Sequence, residues 1–96
     1  MPRFPSVRRD IAVELPRTVP WAEVEASLRQ TLGSRLADTF VFDVYTGAGL
    51  KEDQKSVAMG LILQDASRTL TDQDADGCVT AALASLESAF GAKLRS

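Results

Sequence analysis

The chain has no histidine, no asparagine and a single cysteine among its 96 residues. Histidine is the commonest metal ligand and the usual general base near neutral pH, so both roles lose their favoured residue. Cys78 therefore has no imidazole to activate it as a nucleophile and reads as a packed filler in an apolar stripe. A lone cysteine forms no internal disulfide, which suits a cytoplasmic protein. Acyl phosphate hydrolysis on a small α/β frame needs an arginine–asparagine pair, and the asparagine is missing. No apolar run approaches the ~20 residues that span a bilayer, so no membrane partner is expected. The opening MPRFPS lacks the apolar core of a signal peptide. Gly47-Ala48-Gly49 lacks the GK[ST] ending of a phosphate-binding loop and precedes a strand, so it reads as a hairpin loop. Asp72, Asp74 and Asp76 alternate as in some calcium loops, but the frame lacks its terminal glutamate. They read as the acidic first turn of a helix, with no metal site.

What is present is ordinary for one globular domain: 45% apolar and 25% charged residues, with a net charge of −2. A negative total argues against the basic footprint usual in nucleic-acid binding. The charge is polarised, however. Arg3, Arg8 and Arg9 open the chain without an acid among the first nine residues, while Asp72, Asp74 and Asp76 cluster late.

Arg8 to Leu15 alternates, with Ile11, Val13 and Leu15 on one side and Arg8, Asp10, Ala12 and Glu14 on the other. That period of two predicts a half-buried strand, ended by Pro16. Pro20 to Leu32 predicts a helix on the stripe Trp21, Val24, Leu28 and Leu32, stopped by Gly33. Asp38 to Tyr45 predicts a second strand, with Phe40, Phe42 and Val44 in one row and Val41, Asp43 and Tyr45 in the other. Lys55 to Gln64 predicts a third, with Val57, Met59, Leu61 and Leu63 toward the core. Thr71 caps a second helix whose stripe is Ala75, Val79, Leu83, Leu86 and Phe90, and Gly91 ends it. Ala92 to Arg95 is short enough for an edge strand. The order β-α-β-β-α-β predicts an α+β, ferredoxin-like sandwich: a four-stranded antiparallel sheet with two helices on one face.

The other sheet face stays open and is where function can reside. It is expected to show Arg8, Asp10 and Ala12, then Asp43 and Tyr45, then Ser56, Ala58, Gly60 and Gln64. Small residues leave room for a flat ligand, Tyr45 offers a stacking platform, and Arg8 with Lys55 offers charge to phosphates. Sheet modules bind single-stranded loops in this way. Arg9 shares the side of Ile11 and Val13, so it lies beyond the core edge or reaches a helix terminus, in a structural or an RNA role.

Four segments, RFPSVRRDIAV (Arg3–Val13), FDVYTGAGL (Phe42–Leu50), KSVA (Lys55–Ala58) and RTLTD (Arg68–Asp72), come in one register with a final helix ending at FGAKLR. In that order they resemble the ferredoxin-fold anticodon-binding domain at the C-terminus of the phenylalanyl-tRNA synthetase β subunit. The resemblance implies that residues 1–96 are one non-catalytic domain of a larger chain, docking the anticodon stem-loop of phenylalanine tRNA on its open sheet. It implies that Tyr45 meets an anticodon base and that Arg8, Arg9, Asp10, Asp43 and Ser56 lie at or near that surface. It further implies a parent ligase, usually an α2β2 tetramer, that uses ATP and magnesium outside this domain. The isolated domain is then a monomer without a cofactor of its own, whose partners are the tRNA, the rest of the β subunit and the α subunit. Thr46, Gly60 and Ile62 stand where the family favours basic or larger polar residues, which thins the positive charge facing RNA. An amino-acid-binding regulatory module on the same frame is the alternative, but Leu15-Pro16-Arg17-Thr18 replaces the glycine-bearing turn such modules use.

Overall fold

The computed structural model describes residues 4–95; Arg3, the first residue of the RFPSVRRDIAV segment, lies outside them. Strand β1 (Val7–Pro16) leads into helix α1 (Trp21–Leu32) and a 3-10 turn at Gly33–Arg35. Strands β2 (Leu36–Tyr45) and β3 (Gln54–Leu63) form a hairpin, and helix α2 (Asp72–Phe90) returns the chain to β4 (Lys93–Leu94). The strands lie in the order β2-β3-β1-β4, every pair antiparallel. The ferredoxin-like βαββαβ sandwich expected from the pattern is thus the fold. Helix α1 lies beside β2 and α2 beside β1, and the helices meet each other, with Ser27 Oγ 2.6 Å from Ser85 Oγ.

The core is built from the inward rows of the two central strands. Ile11, Val13 and Leu15 of β1 and Val57, Met59, Leu61 and Leu63 of β3 are buried against Val24 and Leu28 of α1. Each such side chain stabilises the fold by about 1.5–3 kcal/mol through its lost apolar surface. The α2 stripe is rotated from the expected one. Ala75, Cys78, Ala82 and Leu86 are buried, while Val79, Leu83 and Phe90 pack at its margin. Small residues at the centre let α2 approach the sheet closely, and Cys78 is one of these fillers.

Helix α2 starts where the capping chemistry requires. The Thr71 hydroxyl accepts from the Asp74 amide, and the Asp74 carboxylate accepts from the Thr71 amide, a reciprocal capping box. Asp74 also takes a bidentate bond from Arg68. That guanidinium, and then the Thr71 donors, hold the Asp74 carboxyl far below the usual carboxylate range. Just upstream, the Ser67 hydroxyl and amide, with Arg35 behind them, lower Asp65 from 3.8 to about 2. Two carboxylate clamps therefore fix the β3–α2 connection. Gly77 does complete the first half of a calcium-loop pattern after Asp72, Asp74 and Asp76. The segment is nevertheless helical from Asp72 onward, so Asp74 turns away to Arg68 while Asp72 and Asp76 face Arg9. Among the described residues no group of three His, Cys, Asp or Glu is placed to hold a metal ion.

Candidate nucleic-acid interface

Paired rows of the sheet define its helix-free face. Register places Arg8 beside Ile62 and Asp38; Asp10 beside Gly60 and Phe40; Ala12 beside Ala58 and Asp43; and Glu14 beside Ser56 and Tyr45. Lys93 of β4 extends the last row through Glu14, and the Arg95 amide donates to the Ala12 carbonyl at 2.7 Å. The centre of this face is a floor of small side chains, Ala12, Ser56, Ala58 and Gly60, as the alternation predicts.

Two register shifts in β2 change the rest. One falls between Leu36 and Asp38 and the other between Val41 and Asp43. A bulge inserts one unpaired residue and restarts the alternation behind it. Val41 and Val44 oppose Met59 and Val57 on the helix side. Phe40 and Phe42, which strict alternation separates from Asp43 and Tyr45, emerge with them on the open face. The tip of the Phe40 ring lies over Gly60: a Cβ there would stand 2.6 Å from its Cζ. Part of the room that Gly60 leaves is therefore already filled by an aromatic ring. Phe42 remains 51% exposed, with its ring centroid 6.4 Å from that of Phe40.

Arg8 spans both rings. Its guanidinium carbon is 5.1 Å from the Phe40 centroid and 5.7 Å from that of Phe42, within cation–π range. The same guanidinium donates to both carboxylate oxygens of Asp10, at 2.8 and 3.3 Å. Tyr45 is held from two sides. Its hydroxyl donates to the Ala48 carbonyl at 2.8 Å, and the Arg95 guanidinium carbon lies 5.2 Å from its ring centroid. The Gly47-Ala48-Gly49 loop reaches back to that hydroxyl because both glycines adopt positive φ, 130° and 90°. The hairpin loop thus positions the aromatic that precedes it.

The expected site residues divide into two groups. Arg8, Asp10, Asp43, Tyr45 and Ser56 share the open face, although Ser56 is only 7% exposed beside Tyr45. Arg9 and Lys55 lie on the opposite side. Arg9 pairs with Asp72 at 3.3 Å and Asp76 at 3.8 Å, bracing the N-terminus of α2, so of its two expected placements the helix terminus is the observed one. Lys55 has the phase of Val57, and its ammonium donates to the Val19 carbonyl at 2.6 Å. It closes an apolar notch formed by Leu15, Trp21, Val24 and Val44, and its placement beside Arg8 as a second open-face cation is corrected accordingly.

Phe40, Phe42, Lys93 and Arg95 are the open-face residues that sequence reasoning missed. The signal for the phenylalanines was the spacing of Val41 and Val44, three apart, which keeps both inside only if a residue between them bulges. The arrangement can stack flat rings on Phe42 and Tyr45. Its carboxylates can accept from base edges, and Arg8, Lys93 and Arg95 can meet phosphates at the rim.

A family model described as the ferredoxin-fold anticodon binding domain matches residues 2–95. The phenylalanine–tRNA ligase beta subunit of Xanthomonas euvesicatoria pv. vesicatoria is 53% identical over 94 residues, which cover 98% of this chain and 12% of that protein. The protein of the same name from Methylococcus capsulatus is 46% identical over 93 residues, covering 97% of this chain and 12% of its own length. That from Xylella fastidiosa is 42% identical over 94 residues, 98% of this chain and again 12% of the relative. The chain thus spans about an eighth of the length of these relatives.

Proposed function

The chain belongs to the ferredoxin-fold anticodon binding domain family, and on that premise we propose that its open sheet face docks the anticodon stem-loop of phenylalanine tRNA during aminoacylation. The observation that carries the proposal is the exposed aromatic row on the helix-free face, Phe42 and Tyr45, with Arg8 and Arg95 against it. Loop bases splayed from an RNA hairpin stack on such side chains, each contributing about 1–3 kcal/mol. Asp10, Asp43 and Glu14 repel phosphates from the middle of the face. The RNA backbone is therefore expected at the rim, where Arg8, Lys93 and Arg95 stand.

In this reading the domain is part of a phenylalanine–tRNA ligase beta subunit and works in the cytoplasm. Its partners are the tRNA, the remainder of that subunit and an α subunit in an α2β2 assembly, while the isolated domain is monomeric. ATP and magnesium serve an active site elsewhere in the assembly; the role of these residues is to position the tRNA.

Titration of the domain into a labelled anticodon stem-loop at low salt tests this. Tyr45→Ala is expected to weaken binding by about tenfold, the equivalent of one stacked base, and wild-type affinity is expected to fall as salt rises. Equal affinities for the wild type and Tyr45→Ala would remove the platform from the proposal.

A further inference from the structure

A recess lies on the open face beside the Tyr45 row. It is a shallow depression of about 290 Å³ formed by Asp10, Ile11, Ala12, Phe42 and Ala58. Its floor is the methyl groups of Ala12 and Ala58, which pair across β1 and β3. One wall is the ring that the β2 bulge turns outward, Phe42, and Asp10 stands at the edge with its carboxylate 48% exposed. Phe40 fills the neighbouring row over Gly60. Rows on one face of a strand repeat about every 7 Å, so the recess and the Tyr45 platform are neighbouring places for two bases of one splayed strand.

The chemistry of the recess is specific. A planar, apolar-walled slot accepts a nucleobase, and a carboxylate at its edge accepts hydrogen bonds from an exocyclic amino group. Asp10 already receives two bonds from Arg8, but a carboxylate has about four acceptor sites, so it retains capacity for a base edge. Uracil has no amino group: its one ring N3–H is flanked by two carbonyls, which would meet the carboxylate acceptor against acceptor. Resting on the docking reading above, we propose that the Asp10–Phe42 recess is a second base subsite. It takes an amino-bearing base (adenine, guanine or cytosine) in preference to uracil, and Arg8, itself over the Phe42 ring, holds the Asp10 carboxylate in place at the edge.

The test uses the anticodon stem-loop and variants carrying uridine at each non-uridine loop position in turn, with affinity read by fluorescence anisotropy. The wild type is expected to lose affinity by about fivefold or more at one position beyond the base that Tyr45 stacks. In Asp10→Ala the penalty for uridine at that position is expected to vanish. Phe42→Leu is expected to weaken the unsubstituted loop by about fivefold or more; the side chain is half exposed, so its truncation leaves the core intact. If binding depends on Tyr45 but Phe42→Leu binds as wild type, or Asp10→Ala keeps the full uridine penalty, the recess is not a base subsite while the docking reading stands. If the wild type does not bind the stem-loop, or Tyr45→Ala binds as well as the wild type, the docking reading fails, and the subsite with it.

Discussion

At the scale of single residues, side chains of similar chemistry are separated by the face they occupy. Arg8 and Arg9 are adjacent, yet Arg8 lies on aromatic rings of the open sheet and Arg9 on the acids that begin α2. Arg9→Ala is therefore expected to cost less than about 1 kcal/mol, since Asp72 and Asp76 are largely exposed. Arg9→Ala and Lys55→Met are both expected to leave stem-loop affinity unchanged; a several-fold loss in either would place RNA on the helix side. Gly60 is explained by its neighbour. A methyl group there displaces the Phe40 ring, an overpacking cost of about 1–3 kcal/mol. That outweighs the ~0.4–1 kcal/mol gained by stiffening the unfolded chain. Gly60→Ala is thus expected to destabilise the wild type in urea but to be neutral or stabilising in a Phe40→Ala background. Equal destabilisation in both backgrounds would show that the ring is not the cause.

At the scale of elements, the carboxylate clamps of the β3–α2 connection set the response to acid. Asp65 is held at about 2 against an ordinary 3.8, so it contributes stability that is complete above about pH 4. That contribution is lost as pH falls from there toward 2, and Asp74, lowered further, loses its own contribution at still lower pH. Urea midpoints are expected to be level from pH 6 to about 4.5 and to drop below pH 4. Because the Ser67 hydroxyl is the leading cause, Ser67→Ala is expected to raise the carboxyl titration midpoint of Asp65 in ¹³C NMR; an unmoved midpoint would assign the shift to the backbone amide of residue 67 and to Arg35 instead. The elements themselves were legible in the sequence. Alternation in β1 and β3, the Thr71 cap and the Gly33 and Gly91 stops set boundaries that the structure moves by only a residue or two. The phase within β2 was not legible by simple alternation. A bulge is set by the cross-strand partner as much as by its own strand, and here Gly60 of β3 makes room for Phe40. Lys55, by contrast, follows simple alternation: it shares the phase of Val57 and so the helix side.

At the scale of the whole molecule, a domain with a net charge of −2 has little long-range attraction for RNA. Its open face mixes Arg8, Lys93 and Arg95 with Asp10, Asp43 and Glu14, so steering is weak and recognition rests on short-range stacking and base edges. The sandwich architecture makes that possible by placing both helices and the core on one side of the sheet, leaving the rings of β2 uncovered on the other. Of that site, Tyr45, Asp43, Asp10 and Arg8 were legible from the alternation and the FDVYTGAGL segment. Arg95 was not, because its place over the Tyr45 ring depends on β4 pairing with β1 at the far edge of the sheet. The most direct test of the account is an amide chemical-shift titration of the ¹⁵N-labelled domain with the anticodon stem-loop at low salt. Shifts confined to β1, β2, β3 and Arg95, centred on Asp10–Ala12, Phe42–Tyr45 and Ser56–Gly60, are the predicted result. Shifts centred on α1 and α2, with those strands unmoved, would contradict it.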